Sequence, residues 1–273
     1  MIRKWESLLL VAMFAVACRS SAPVAVIAPT PPAGPGWRQQ LSQQSADAVI
    51  YQNTSAEVHR LYEQCYELAR IRLLENLRGP DERPAAVITD IDETVLDNSP
   101  YQIRCAAQGL TYAPDTWEQW ALMGAAKALP GSLEFLRFAQ QQGCEVFYIS
   151  NRSATEKNAT IKNLYELGFP NADEAHVMCM EGTSDKTERR SRVSKKHRVV
   201  LLLGDQLRDL DERFKDRATD FGRNVLSKMQ DTLEHYFIML PNPMYGTWLD
   251  AVAGKADSLK VEKKAAFFKA NSY

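Results

Sequence analysis

At 273 residues, with 33 basic residues against 34 acidic ones, the chain has room for one sizeable domain with a small insert. The near-zero balance supplies no global basic field, so nucleic acid is excluded as the main partner. A charged fraction of 25% and an apolar fraction of 45% suit an ordinary soluble, enzyme-like domain.

The first residues carry an address. Arg3 and Lys4 precede a nearly unbroken apolar run from Leu8 to Ala17. That run is half the ~20 residues a spanning helix needs, so it reads as the apolar centre of an export signal. It closes as Ala15-Val16-Ala17-Cys18, small residues before a cysteine in the pattern of a bacterial lipobox. Residues 1–18 are expected to be a signal segment with Cys18 as the lipidated anchor, placing the protein at the cell envelope on the outer membrane. A plain signal cut near Ala17 is the alternative. Residues 19–36 contain Pro23, Pro29, Pro31, Pro32 and Pro35 and read as an extended tether. Residues 37–273 are then the folded domain.

A helix is predicted next. Thr54 and Glu57 have capping-box spacing, Val58, Leu61, Cys65, Leu68 and Ile71 mark a buried face, and Gly79-Pro80 ends it. Short apolar runs follow, at Ala85 to Thr89, Val146 to Ser150, His176 to Met180, Val199 to Leu203 and Tyr236 to Leu240, each too short for a buried helix. Amphipathic stretches such as Gly131–Gln142 and Ala154–Leu167 lie between them. This alternation predicts an α/β fold, a three-layer sandwich with a mostly parallel central sheet. Residues 99–129 exceed a simple crossover and are expected to form a small helical cap over the carboxyl edge of the sheet. Cys65, Cys105, Cys144 and Cys179 show no C-x-x-C pairing, which argues against structural zinc. Three disulfide connectivities, or none, remain open.

The chemistry concentrates where the first strand ends, at Val87-Ile88-Thr89-Asp90-Ile91-Asp92-Glu93-Thr94. Two carboxylates two residues apart repel unless a cation or shared proton offsets them, and oxygen ligands of this kind suit Mg²⁺. A calcium loop is disfavoured, because Thr94 and Val95 stand where it needs a third ligand and a glycine. A second acidic segment, Gly204-Asp205-Gln206-Leu207-Arg208-Asp209, follows the apolar run Val199 to Leu203. Between them Ser150-Asn151-Arg152 closes another strand, and Ser153 with Glu156 has capping-box spacing for the helix beyond. A helix start there would offer free amides to phosphate, with the Ser150 hydroxyl as a further donor. The four histidines show no metal-ligand spacing.

The run Val87 to Asn98, continued by Ser99-Pro100-Tyr101, closely resembles the first signature of the class C (DDDD) acid phosphatases of the haloacid dehalogenase (HAD) superfamily, which include the lipoprotein e(P4)-like 5′-nucleotidases. The resemblance extends over nearly the whole mature domain, including the late loop Leu240 to Trp248. It departs from the family at Gln206, where Asn or Thr is common, and at Leu210, where Phe is. It implies a HAD-like fold and a phosphomonoesterase in which Asp90 attacks phosphorus and Asp92 is the general acid and base. Ser150 and Lys186 would complete the catalytic set, and Mg²⁺ would sit on Asp90, Asp92 (through its backbone carbonyl) and Asp205, with Asp209 nearby. Asn151, Trp117 and Tyr245 would contact substrate; Trp120 and Trp248, read as residues by themselves and not through the resemblance, are expected in the core. Arg189 and Arg190 crowd near Lys186 and suit phosphate or loop contacts. The expected substrate is a small phosphate monoester, specifically a nucleoside 5′-monophosphate, and an oligomer is left open. Two other readings stand beside this one: a non-catalytic surface lipoprotein on the same fold, and a HAD phosphatase for sugar phosphates.

Overall fold

The computed structural model describes residues 36–79 and 81–273; the expected signal segment, Cys18 and all but the last residue of the expected tether lie outside them. Two long helices come first, α1 (Trp37–Thr54) and α2 (Ala56–Leu77). The chain continues through β1 (Ala85–Thr89), β2 (Leu96–Asp97), α3 (Ser99–Ala107), α4 (Pro114–Met123), β3 (Lys127–Ala128) and α5 (Ser132–Gln141). Then come β4 (Glu145–Ile149), α6 (Lys157–Leu167), β5 (Val177–Met178), α7 (Thr187–Ser194) and β6 (Arg198–Gly204). The last part holds α8 (Leu207–Leu210), α9 (Arg223–Lys228), α10 (Gln230–Tyr236), β7 (Phe237–Met239), α11 (Thr247–Ala253) and α12 (Asp257–Asn271).

Five strands form one sheet in the order β5-β4-β1-β6-β7, and every pairing within it is parallel. The five apolar runs read from the sequence are these five strands, β1 residue for residue and the others displaced by one residue or two at their ends. Strands covered on both faces must be apolar on both, and Ala86, Val87, Ile88, Val146, Tyr148, Leu201 and Leu203 are all buried. Parallel pairing puts all the carboxyl ends at one edge of the sheet. The segment between β1 and β4 carries α3 and α4, and β2 pairs antiparallel with β3 at its base.

Helix α2 departs from the expectation in two ways. Its N-cap is Ser55, whose hydroxyl accepts from the Glu57 and Val58 amides, while Thr54 ends α1. Its buried face is Val58, Tyr62, Tyr66, Ala69 and Leu73. Leu61, Leu68 and Ile71 stand 41%, 44% and 54% exposed. Hydropathy ranks a tyrosine below a leucine, yet here each hydroxyl finds a backbone carbonyl and the ring buries as core. The Tyr62 hydroxyl lies 2.9 Å from the Glu93 carbonyl and 2.7 Å from that of Pro241, and accepts from Gln52 Nε2 at 2.9 Å. Tyr66 donates to the Thr94 carbonyl at 2.5 Å. Helix α2 thereby backs the loop that follows β1.

Helix α1 was not legible in the sequence. Its buried positions are Leu41, Ser42, Val49 and Gln52, so only two apolar residues mark the face that packs on α3. The four cysteines are free thiols. Among the described residues no helix is long and apolar enough to cross a membrane.

Candidate active site

Asp90 follows β1, Ser150 follows β4 and Asp205 follows β6, so three neighbouring strand ends converge on one site. The β1–β6 pairing runs up to it, with the Asp90 amide donating to the Leu203 carbonyl at 2.9 Å. Gly204 has a steric task. A Cβ there would lie 2.5 to 2.8 Å from Asp209 side-chain atoms, so only glycine lets Asp209 seat against the end of the strand.

Carboxylate oxygens of Asp90, Asp205 and Asp209 lie within 4.8 Å of one another. Lys186, at the start of α7 and 4% exposed, reaches Asp90 Oδ1 at 2.5 Å and Asp209 Oδ1 at 2.7 Å. Asp205 Oδ2 accepts from Asn242 Nδ2 at 2.7 Å and Gln206 Nε2 at 2.8 Å. Burial, and then the neighbouring Asp209 charge, push the Asp205 carboxyl up to about 7. Burial also pushes Asp90 well above the usual carboxylate range, with Lys186 opposing and Asp209 and Asp205 adding to the rise. Burial disfavours the Lys186 ammonium, yet Asp209 and Asp90 outweigh it and hold its pKa above that of an ordinary lysine. When all three carboxylates are ionised, one ammonium leaves two negative charges uncompensated, which is the charge of one divalent cation. The oxygen-only donor set fits a hard ion of that kind.

Asp92 is turned the other way. Its Oδ1 accepts from Arg152 Nη2 at 2.8 Å, Arg152 Nε at 3.0 Å and Asn98 Nδ2 at 2.9 Å. Its Oδ2 lies 3.3 Å from the Ser150 hydroxyl. The two acids of the first motif therefore do not share one cation. Lys186 serves Asp90 and Arg152 serves Asp92, and the Asp92 carboxylate stands outside the acidic cluster. Glu93, the residue after Asp92, is fully buried with φ +54°. Its Oε1 accepts from the Asn98 amide at 3.0 Å. Burial, then Asp92 and Asp205, raise its pKa well above the usual range.

The site opens into a cavity of about 500 Å³. Trp117, Asn151 and Tyr245 line it, so every residue expected to contact substrate borders the same space. Trp117 packs edge-on to Tyr101 at 5.3 Å and beside Tyr112 at 6.2 Å, with the Arg152 guanidinium 5.7 Å from its ring. Beyond them Leu41 and Val49 of α1 and Cys105 of α3 give the cavity an apolar wall. Trp120 is partly buried against the core. Trp248 is not core: it stands 40% exposed, donating to the Tyr245 carbonyl at 3.1 Å.

Arg152, Asn98, Asn242 and Tyr112 gained a place only in three dimensions, while Arg189 makes the loop contact expected for it. Arg152 and Asn98 hold Asp92, and Asn242 holds Asp205. Arg189, 2% exposed, donates to the Ser150 carbonyl at 2.5 Å and Asn151 Oδ1 at 2.8 Å, tying the β4 loop to α7. Tyr112 joins the cavity wall beside Trp117. Arg152 and Asn98 lie inside the two quoted motifs, and an arginine directly after Ser150-Asn151 was the available signal.

Residues 28–248 match the model of the HAD superfamily, subfamily IIIB (acid phosphatase). A class C acid phosphatase from Bacillus anthracis superimposes with a TM-score of 0.78 at 34% identity, covering 83% of this chain and 97% of that one. The same protein with tungstate bound superimposes with the same score and identity. Acid phosphatase 1 of Solanum lycopersicum is 29% identical over 199 residues, 69% of this chain and 68% of its own length. A stem 31 kDa glycoprotein of Glycine max is 26% identical over 166 residues, 58% of each chain.

Proposed function

This chain belongs to the HAD superfamily, subfamily IIIB (acid phosphatase), and is a phosphomonoesterase; on that premise we propose that it cleaves its substrate through an aspartyl-phosphate on Asp90. The observation that carries this reading is the placement of Asp90, Lys186, Asp205 and Asp209 together at the mouth of one cavity. Asp90 attacks phosphorus while Asp92 gives a proton to the departing alkoxide oxygen. Asp92 then takes a proton from water as that water attacks the aspartyl-phosphate, which releases inorganic phosphate and restores the Asp90 carboxylate. Lys186 offsets charge on the phosphate and Asp209. The Ser150 hydroxyl oxygen accepts from the Arg152 amide at 3.0 Å, while its own proton goes only to Asp92 Oδ2 at 3.3 Å and can turn to a phosphate oxygen.

Mg²⁺ held by Asp90, the Asp92 backbone carbonyl and Asp205, with Asp209 beside it, would supply charge stabilisation for the transferring phosphoryl group. The uncompensated double negative charge of the cluster supports a divalent ion there. Tungstate binding to the Bacillus anthracis relative supports a tetrahedral oxyanion as ligand. The aromatic residues Trp117, Tyr112 and Tyr245 that border the cavity favour a nucleoside 5′-monophosphate, since stacking on a flat ring is worth about 1–3 kcal/mol per base.

The test is hydrolysis of p-nitrophenyl phosphate at mildly acidic pH by the purified chain with Mg²⁺, with EDTA, and as Asp90→Asn. Loss of activity in both of the latter is expected, together with a higher kcat/KM for AMP than for a sugar phosphate. Activity that survives Asp90→Asn would remove Asp90 as nucleophile, and a preference for sugar phosphates would overturn the nucleotide assignment.

The export pattern before Cys18 supports attachment to the cell envelope through a lipid on that residue. Cys18→Ser should move the protein from the membrane fraction to the soluble fraction, and a variant that stays membrane-bound would sink that reading.

A further inference from the structure

We propose that the cap helix α4 positions the general acid, with Trp120 acting on Asp92 through Asn98. The inference rests on the reading of Asp92 as proton donor and adds the device that aims it.

The two oxygens of Asp92 are unequally occupied. Oδ1 accepts three N–H groups, from Asn98 Nδ2 at 2.9 Å, Arg152 Nε at 3.0 Å and Arg152 Nη2 at 2.8 Å. Oδ2 has the Ser150 hydroxyl alone, at 3.3 Å. An oxygen surrounded by donors is a poor place for a proton, so Oδ2 is the atom that carries it. Proton transfer needs a short, aligned approach to the leaving oxygen, and the donors on Oδ1 set the angle of the carboxyl plane.

Asn98 is fully buried, and its amide works only one way round. Nδ2 must face Asp92, because the amide oxygen there would meet a carboxylate oxygen. What fixes the orientation is the other end of the amide. Asn98 Oδ1 accepts from Trp120 Nε1 at 2.8 Å and, more distantly, from Arg152 Nη2 at 3.3 Å. An indole N–H can only donate, so Trp120 holds the Asn98 oxygen toward itself and turns the NH₂ group to Asp92. The Asn98 backbone amide is pinned as well, on Glu93 Oε1 at 3.0 Å.

The same helix carries a residue of the substrate cavity. Trp117 lines that cavity and lies 5.7 Å from the Arg152 guanidinium, the other group on Asp92 Oδ1. Glu118 of α4 accepts from Thr155 Oγ1 at 2.6 Å, just after the loop that holds Ser150 and Arg152. Both supports of the acid therefore touch the helix that meets the leaving group. In the reaction, the proton on Asp92 Oδ2 passes to the leaving oxygen as its bond to phosphorus breaks with the electron pair. Trp120 and Asn98 are positioning residues and take no part in bond making.

A misaimed acid hurts substrates in proportion to their need for a proton. Phenyl phosphate and p-nitrophenyl phosphate share one ring, but the nitrophenolate departs without a proton and phenolate departs poorly without one. The experiment compares kcat/KM for the two substrates on the full chain and on Trp120→Phe, Asn98→Ala and Asp92→Asn. Trp120→Phe keeps an aromatic ring at this partly buried position and removes the N–H donor together with the rest of the indole; Asn98→Ala removes the bridge should the first variant fold poorly. The ratio of p-nitrophenyl to phenyl phosphate kcat/KM should rise about 100-fold or more in Asp92→Asn, since general acid catalysis is worth about 10²–10⁴. It should rise about 10-fold in each of the other two. An unchanged ratio in Trp120→Phe and Asn98→Ala, beside a raised ratio in Asp92→Asn, overturns the positioning role alone. An unchanged ratio in Asp92→Asn overturns the acid and the positioning role together.

Discussion

At the scale of single residues, the four aspartates at the site fall into two environments. Asp90 and Asp205 are buried among carboxylates with one ammonium between Asp90 and Asp209, whereas Asp92 has an arginine to itself. This predicts how metal and pH act on the fold. Asp205 titrates at about 7 in the folded chain against an ordinary 3.8. Between those values the folded chain holds a proton that the unfolded chain releases. Its contribution to stability is full below 3.8 and is lost as pH rises toward 7. A bound divalent cation would replace that proton. The thermal midpoint in EDTA should thus fall as pH rises from about 5 to about 7, and the gain from Mg²⁺ should be larger at the upper value. Midpoints by scanning fluorimetry in both conditions check it. A Mg²⁺ gain that is equal at the two ends would remove Asp205 as the linked group. Gln206 shows the same dependence on neighbours. It departs from the family's common Asn or Thr, yet it bonds Asp205 at 2.8 Å and its Oε1 accepts from the Thr247 amide at 3.1 Å. Its extra length bridges Asp205 to the late loop.

At the scale of elements, α2 shows where periodicity misleads. Spacing picks out Leu61, Leu68 and Ile71, but the core receives Tyr62, Tyr66 and Leu73. The two phenols were displaced in the reading by their hydroxyls, and only the carbonyls of Glu93, Thr94 and Pro241 explain how those are satisfied. Substitutions should tell the faces apart. Ile71→Lys is expected to change stability by less than about 0.5 kcal/mol, and Leu73→Ala to cost about 2–5 kcal/mol. Urea unfolding of both variants measures the difference. A large cost at Ile71 would mean that another surface covers this face in solution. The strands were the opposite case. Each was found from its unbroken apolar run, because a strand buried on both faces admits little else. The candidate site shared that legibility wherever a motif closed a strand, as at Asp90, Ser150 and Asp205. Helix α1 was missed because its packed face is half polar, and Trp248 was misplaced because an aromatic residue beside a loop gives no sign of which side it covers.

At the scale of the whole molecule, parallel pairing in the order β5-β4-β1-β6-β7 brings residues 90, 150 and 205 to one edge, although more than 50 positions separate each from the next. Lys186 arrives from a helix and Asn242 from the late loop, so five separate stretches of chain build one charged cluster. The sequence by itself determined the layered α/β architecture, the family and the identity of the acids that end the strands. The architecture follows from local patterns of apolar runs and capping residues, and the family and the acids from the resemblance of the quoted motifs to a known signature. Only the tertiary structure decided which cation each acid receives, that Asp92 faces away from the acidic cluster, and that Asn98 and Trp120 stand behind it. Those are contacts between side chains brought together by folding, and their strength depends on burial and on distances of about 3 Å that no linear spacing encodes.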